Sequence, residues 1–280
     1  MRVNGEGHRR GASRQIYEFR PRRSYRGRVT DFVARLGSRA SVPDEVRSAW
    51  SIAEYVAALT GPATEPRLDD IGRLDAERMR ALLRVMARSP SAELNRTALA
   101  AAADIAPTTI PPYVGALVRL GVVRLLPGTR SPVAKRAIGR PRCVFDDPAL
   151  ACLLSGTTAA DLVQMSGRAR LAPLLEGMAA VELMRQRATS TVDFDLTHLR
   201  ERNGLAVDLL VELADGSVYG IEIRTAAAFR PHQFRSLEAL AARAGSRFRG
   251  GIVLNTATAG FKYRPGLWVL PISALWDWQS

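Results

Sequence analysis

Residues 206–224 constrain this chain more than any other stretch, because their alternation permits only one local structure. Val207, Leu209, Val211 and Leu213 interleave with Asp208, Leu210 and Glu212; further on, Tyr219, Ile221 and Ile223 interleave with Val218, Gly220, Glu222 and Arg224. A period of two marks two strands, and the uniformly apolar set is expected on the core face. Between them Ala214-Asp215-Gly216 has the length and composition of a three-residue hairpin loop, with Gly216 in the left-handed conformation. Loop length then fixes register. Leu213 falls opposite Ser217, and counting outward sets Asp208 opposite Glu222. Directly opposed residues have Cβ atoms about 4.5–5.5 Å apart, where like charges destabilise a sheet. A cation is needed between them. A divalent ion held by both carboxylates would serve, and so would Arg224, two residues on and on the same face. Hairpin geometry alone favours the arginine, since structural ion pairs are common.

The elements around the hairpin imply a mixed α/β chain. Leu74, Met79, Leu82, Leu83 and Met86 recur at helical spacing as far as Ser89-Pro90. Asn95 then caps a helix through Ala102, a turn spans Asp104 to Pro107, and Thr108 caps a second helix ended by Gly121. Val122 to Leu126 reads as a strand and Pro127-Gly128-Thr129-Arg130 as a hairpin turn. Helix, turn, helix, strand and loop in this order suggest a winged helix. Val144 to Pro148 and a short helix from Ala149 to Leu154 form a connector. Pro173 then opens a helix to about Arg187. Strands follow at Val192–Leu199, Ala206–Leu213 and Ser217–Arg224, then a helix from Pro231 to Gly245, strands at Ile252–Asn255 and Leu267–Leu270, and a last turn at Ile272–Trp276. The order is αβββαβ with one further strand.

Charge is suggestive without being specific. The net charge is +13, and basic surface attracts phosphate. Lys135 and Lys262 are the only lysines, so the excess is arginine in an Ala-rich chain, a bias that a GC-rich genome produces unaided. Much of it precedes residue 48, where twelve arginines face five acids. Residues 1–47 lack any sustained period and read as a disordered tail. No apolar run approaches the roughly 20 residues of a membrane span, and no signal peptide is visible, which gives a cytoplasmic expectation without membrane association. Cys143 and Cys152 lack metal spacing and read as buried thiols. If the winged helix touches DNA, the first turn of its second helix (Thr108, Thr109, Pro111, Pro112) offers no base-reading side chain. Arg119, Arg124, Arg130, Lys135 and Arg136 are left to contact phosphate. A winged helix that packs on a protein partner fits equally well.

Asp208, the hairpin and Glu222-Ile223-Arg224 resemble the Asp…Glu-x-Lys pattern of the PD-(D/E)XK nuclease superfamily. Shorter matches resemble one branch, the domain of unknown function at the C-terminus of many bacterial AAA-type ATP-binding proteins. They are Leu174-Leu175-Glu176 with Glu182-Leu183, Gly204-x-x-Val207-Asp208, Gly220-Ile221-Glu222-Ile223, Phe229-Arg230-Pro231, Phe248-x-x-Gly251 and Leu267-Trp268-x-Leu270-Pro271-Ile272-Ser273-Ala274-Leu275-Trp276. Lys135-Arg136 and Pro141-Arg142 also fit, so the resemblance covers about residues 70–280. With the Arg-rich tail set apart over 1–47, the chain divides into a helical and winged-helix domain over 48–140, a connector over 141–172, and a domain over 173–280 that the resemblance implies is restriction-endonuclease-like. The resemblance also implies Mg²⁺ on Asp208 and Glu222, with a glutamate from the first helix. Leu174, Leu175, Met178 and Val181 form that helix's apolar stripe, with Glu182 inside it, which makes it the geometric candidate, and Glu176 opposite; the family pattern retains both acids, so both stay open.

Three departures shape the functional expectation. The motif lysine is Arg224, which cannot act as a base but can stabilise charge. No Gly-x-x-x-x-Gly-Lys-Ser/Thr loop is present, so ATP is not expected as a cofactor of this chain alone. Residues 1–47 do not match the family, as a reading frame truncated upstream would explain. The expected function is a non-catalytic accessory module with weak, non-specific nucleic-acid or protein binding. The alternative is a Mg²⁺-dependent nuclease using Asp208, Glu222, Arg224 and either Glu176 or Glu182.

Overall fold

The computed structural model describes residues 45–47, 51–68, 72–202 and 204–276. Most of the expected tail, residues 1–44, lies outside the described residues. Its last three positions do not read as tail, because Glu45–Arg47 is a short strand, β1, on the edge of the main sheet.

The N-terminal half is helical. Helix α1 (Ile52–Leu59) opens on Ser51, which exchanges hydrogen bonds with Glu54 as a reciprocal cap. In α2 (Ala76–Arg88) the stripe Met79, Leu82, Leu83 and Met86 is buried, as its spacing requires. Asn95 caps α3 (Arg96–Ala103) through its side chain, which accepts from the Ala98 N–H at 3.2 Å. Asp104 then turns the chain in the left-handed region. The second helix, α4 (Ile110–Arg119), is not capped by Thr108. A single 3₁₀ turn, Pro107–Thr109, leads into it instead, and Pro111 and Pro112 occupy first-turn positions whose N–H groups need no partner. Gly121 ends it at φ +70°.

Strand β2 (Val123–Leu126) does not turn back at Pro127. It pairs antiparallel with β3 (Arg142–Phe145), in register from Val123↔Phe145 to Leu126↔Arg142, so residues 127–141 form one long loop. Sequence reasoning assigned Val144 and Phe145 to a connector because all four β3 residues are buried and do not alternate. The loop folds onto the second half of the chain. Thr129 N–H donates to His198 O (2.8 Å), His198 N–H to Pro127 O (2.9 Å) and Ile138 N–H to Arg200 O (2.7 Å).

After α5 (Pro148–Ser155) and α6 (Ala159–Val163), helix α7 runs from Arg168 to Arg187. Pro173 therefore lies inside this helix instead of opening it. Strands β4 (Phe194–Arg200), β5 (Ala206–Leu213) and β6 (Val218–Ile223) form a meander. Helix α8 (Arg235–Ala244) crosses to β7 (Phe248–Asn255), and β8 (Ala259–Arg264) and β9 (Leu267–Pro271) complete the sheet. The order is β1-β8-β9-β7-β6-β5-β4, with β6, β7 and β9 parallel and the other pairs antiparallel. This is mixed α/β with three more strands, β1, β3 and β8, than the sequence pattern showed. The loop 127–141 covers the free edge of β4, which would otherwise invite pairing with another chain.

Both faces of the sheet are buried, which corrects the expectation of one core face. Leu209, Val211, Tyr219, Ile221 and Ile223 belong to a cluster that continues through α7 and β3 to Tyr55 in α1, so the two halves share one core. Val207, Leu210 and Val218 pack on the opposite side against Phe234, Leu237 and Leu240 of α8 and the turn before it. Gly220 permits that approach, since a Cβ there would stand 2.6 Å from Leu237 Cδ2. Among the described residues no helix is long and apolar enough to cross a membrane.

Candidate functional site

The hairpin forms as its loop length requires. Leu213 N–H donates to Ser217 O (2.8 Å), Gly216 N–H to Leu213 O (2.9 Å), and Gly216 has φ +76°. The ladder runs from Glu212↔Val218 to Leu209↔Ile221. At the next step the Asp208 side chain takes over, its Oδ2 accepting from Ile223 N–H at 2.9 Å. The β4–β5 register shifts at the same level, between Thr197 and Leu199. Local irregularity thus frees a carboxylate at the end of two otherwise regular strands.

Arg224 closes the pair. Its backbone N–H donates to Leu254 O (2.8 Å), tying the residue to β7. Its guanidinium donates through Nη1 to Asp208 Oδ2 (3.2 Å) and Ile223 O (2.7 Å), and through Nη2 to Glu222 Oε2 (2.5 Å). One planar fork therefore serves both strands, which a lysine could not reproduce. Burial pulls the Arg224 pKa down, but the Glu222 and Asp208 charges outweigh it and hold it above its ordinary value. Glu222 is the deepest member, its side chain 4% exposed. Burial, then the Asp208 charge, push its carboxyl up to about 8, against the pull of Arg224. Its other oxygen, Oε1, is buried with no hydrogen-bond partner among the described residues.

Of the two helix acids, Glu176 reaches this cluster. It lines a cavity of about 690 Å³ together with Asp208, Ser91, Glu93, Arg142 and Arg200. Burial, then the Asp208 charge, push Glu176 up to about 7, opposed by Arg142 and Arg224. Glu182 lies a turn and a half further along α7, where its Oε1 accepts from Gln186 Nε2 at 2.9 Å, and Gln186 also donates to Leu275 O. The wheel put Glu182 on the buried stripe, where it lies, but it does not single out the face toward the site, because α7 is buried on several sides, including Gly177, Ala179, Ala180 and Leu183. Arg142 is the residue that sequence reasoning passed over. From the start of β3 its Nη1 pairs with Glu176 Oε2 at 3.2 Å. Its one signal was the Pro141-Arg142 match.

A divalent ion does not fit this arrangement. Among the described residues no three His, Cys, Asp or Glu side chains converge on a common point, and the Arg224 guanidinium lies between the two carboxylates that would have to share the ion.

The residues expected to meet phosphate are dispersed. Arg124 is paired with buried Asp146, which Arg185 also reaches at 3.0 Å. Arg119 is exposed at the end of α4, and Arg130 is exposed on the near limb of the long loop. Lys135 and Arg136 come together on its far limb, lining one groove.

Two family models match the chain. Residues 172–275 match a domain of unknown function (DUF4143). This segment contains Glu176, Glu182, Asp208, Glu222 and Arg224. Residues 67–161, from the approach to α2 into α6, match a second domain of unknown function (DUF8612). No curated protein and no solved structure matches the chain.

Proposed function

We propose that the chain is a non-catalytic accessory module of a bacterial ATP-binding protein family, in which a winged helix is mounted on a restriction-endonuclease-like sheet. The succession α2, α3, α4, β2, long loop, β3 supports the first part, and the αβββαβ core from α7 to β7 supports the second. The observation that carries the non-catalytic reading is Arg224. A nuclease site of this type needs its two acids available to a cation, and here one side chain satisfies both. The module then acts by binding, through weak and non-specific contact with nucleic acid or through a protein partner.

One observation favours the Mg²⁺-dependent nuclease instead: Glu222 Oε1 is a buried acceptor oxygen without a hydrogen-bond partner among the described residues, and such atoms are costly to maintain. That reading requires Arg224 to withdraw. Purified full-length protein, incubated with Mg²⁺ or Mn²⁺ and either plasmid or single-stranded DNA, is expected to leave both intact. Metal-dependent cleavage that disappears in Asp208→Ala would falsify the non-catalytic reading.

A further inference from the structure

We infer that the groove between the start of α3 and the far limb of the long loop is a docking site for the phosphodiester backbone of duplex nucleic acid. The groove encloses about 1350 Å³ and is contributed by α3, residues 135–141 and the turn after β4. Arg96, Lys135, Arg136, Arg140 and Arg202 line it, all exposed, and none makes an ion pair among the described residues. One acid, Glu201, lines it too, and that acid is already satisfied. It accepts from Arg243 Nη1 (2.6 Å), Lys135 N–H (2.8 Å) and Leu205 N–H (3.2 Å). Five cations therefore face an acid whose charge a sixth, Arg243, balances.

The backbone that carries these cations is fixed from two sides. Leu94 N–H donates to Pro141 O (2.8 Å), which ties the loop to the approach to α3. Ile138 N–H donates to Arg200 O (2.7 Å), Ala137 bridges to Glu201, and His198 Nε2 lies 2.9 Å from Arg140 O, which tie it to β4. A charged groove on anchored backbone loses less freedom on binding than one on a free loop.

The lining also selects among anions. Among the described residues no aromatic side chain lines the groove, so they offer no stacking for unpaired bases, the usual means of holding a single strand. Exposed arginines and a lysine recognise phosphate without reading sequence. A duplex presents phosphates at higher density than a single strand or an acidic peptide. This face is also distinct from α4, whose exposed first-turn residues Pro111 and Pro112 carry no charge.

The inference deepens the accessory-module reading by naming one of its partners, and its test is kept separate by working in EDTA, where metal-dependent cleavage cannot contribute. Fluorescence anisotropy of a labelled duplex of arbitrary sequence, titrated with full-length protein at several salt concentrations, gives affinity and salt slope. The triple variant Arg96→Glu, Arg136→Glu, Arg202→Glu is expected to weaken binding at least about 10-fold and to flatten the slope by roughly 2–3, at about 0.9 per phosphate contact. The variant Arg96→Lys, Arg136→Lys, Arg202→Lys should stay within about 3-fold of wild type, which separates lost charge from lost folding. Unchanged affinity and slope in the charge-reversed protein would overturn the proposal. So would equal or tighter binding of polyglutamate, or of the single strand of the same length.

Discussion

The acidic cluster on β5 and β6 and the basic groove beside α3 both rest on hydrogen-bonded backbone, yet they treat charge in opposite ways. In the cluster, Asp208, Glu222 and Glu176 meet Arg224 and Arg142 at 2.5–3.2 Å, and Glu222 is nearly inaccessible to solvent. In the groove, five exposed cations have no such partners among the described residues, and the one acid present is turned toward Arg243. The first region answers its charges internally and so loses by any change that unbalances it. The second leaves its charges for a partner, so substitutions there should alter binding far more than stability. Net charge cannot distinguish the two, because an arginine counts the same in both.

The largest effect expected is on the cluster. At pH 9, where Glu222 is ionised in the wild-type protein, Arg224→Ala removes the counter-charge of two neighbouring carboxylates, one of them buried, and should destabilise the protein by about 3–5 kcal/mol, as loss of one partner of a buried ion pair does. Thermal unfolding should shift down by about 10 °C or more. A second change, Glu222→Gln, made in the Arg224→Ala protein should recover part of the loss by removing one unanswered charge. A shift of only a degree or two, with no recovery, would show that the guanidinium merely covers the acids and that the contrast between the regions is false.

How much of this contrast could be read in the sequence depended on how local its causes are. The hairpin register, Leu209↔Ile221 to Glu212↔Val218, was legible because three loop residues and a period of two fix it without outside help, and that register brings Asp208 and Glu222 to the same guanidinium. The choice between Glu176 and Glu182 was not, because α7 contacts α6, β3, β4 and β6, and no single apolar stripe describes its surroundings. Strand β8 was missed for a related reason. Its residues Ala259, Phe261, Lys262 and Arg264 are exposed, so the alternation that reveals a half-buried strand is weak. The groove could not be assembled from sequence at all, since Arg96, the 135–140 stretch and Arg202 meet only when the long loop lies on β4.

A smaller effect should appear in the pH dependence of stability. Glu222 and Glu176 are raised from an ordinary value of 4.5 to about 8 and about 7, so the folded protein holds protons that the unfolded chain has released. Wherever the unfolded state binds fewer protons, stability falls as pH rises. His198 acts the other way, because burial lowers its pKa, but that contribution is confined to the range below its ordinary 6.5. Glu201 and Asp215, lowered to about 2, lose their contribution only in acid. Between pH 6.5 and 8 the cluster should therefore govern, with the midpoint falling by roughly 3 °C. In Glu222→Gln most of that slope should vanish. A flat wild-type profile, or a slope unchanged in the variant, would mean that these carboxylates are ionised throughout and fully answered by arginine.

The smallest effect concerns the anchoring of the loop, and it tests whether the groove depends on shape as well as charge. Thr129 is buried; its hydroxyl donates to Glu212 Oε1 at 2.6 Å and accepts from Ser131 N–H at 2.9 Å. Thr197 donates to the same carboxylate oxygen at 2.8 Å, so Thr129→Val leaves Glu212 one partner but strips Ser131 N–H of its acceptor. A lost neutral hydrogen bond of this kind costs about 1 kcal/mol, or a midpoint lower by about 2–4 °C in a chain of this size. No charge changes, so the salt slope of duplex binding should stay at the wild-type value. Affinity should fall by about 2-fold, because a looser loop must be ordered again on binding. If affinity is unchanged at equal slope, charge alone sets binding and the anchored backbone contributes nothing to it. If the slope itself falls, Thr129 helps to hold the cations in place, and shape and charge in the groove are not separable.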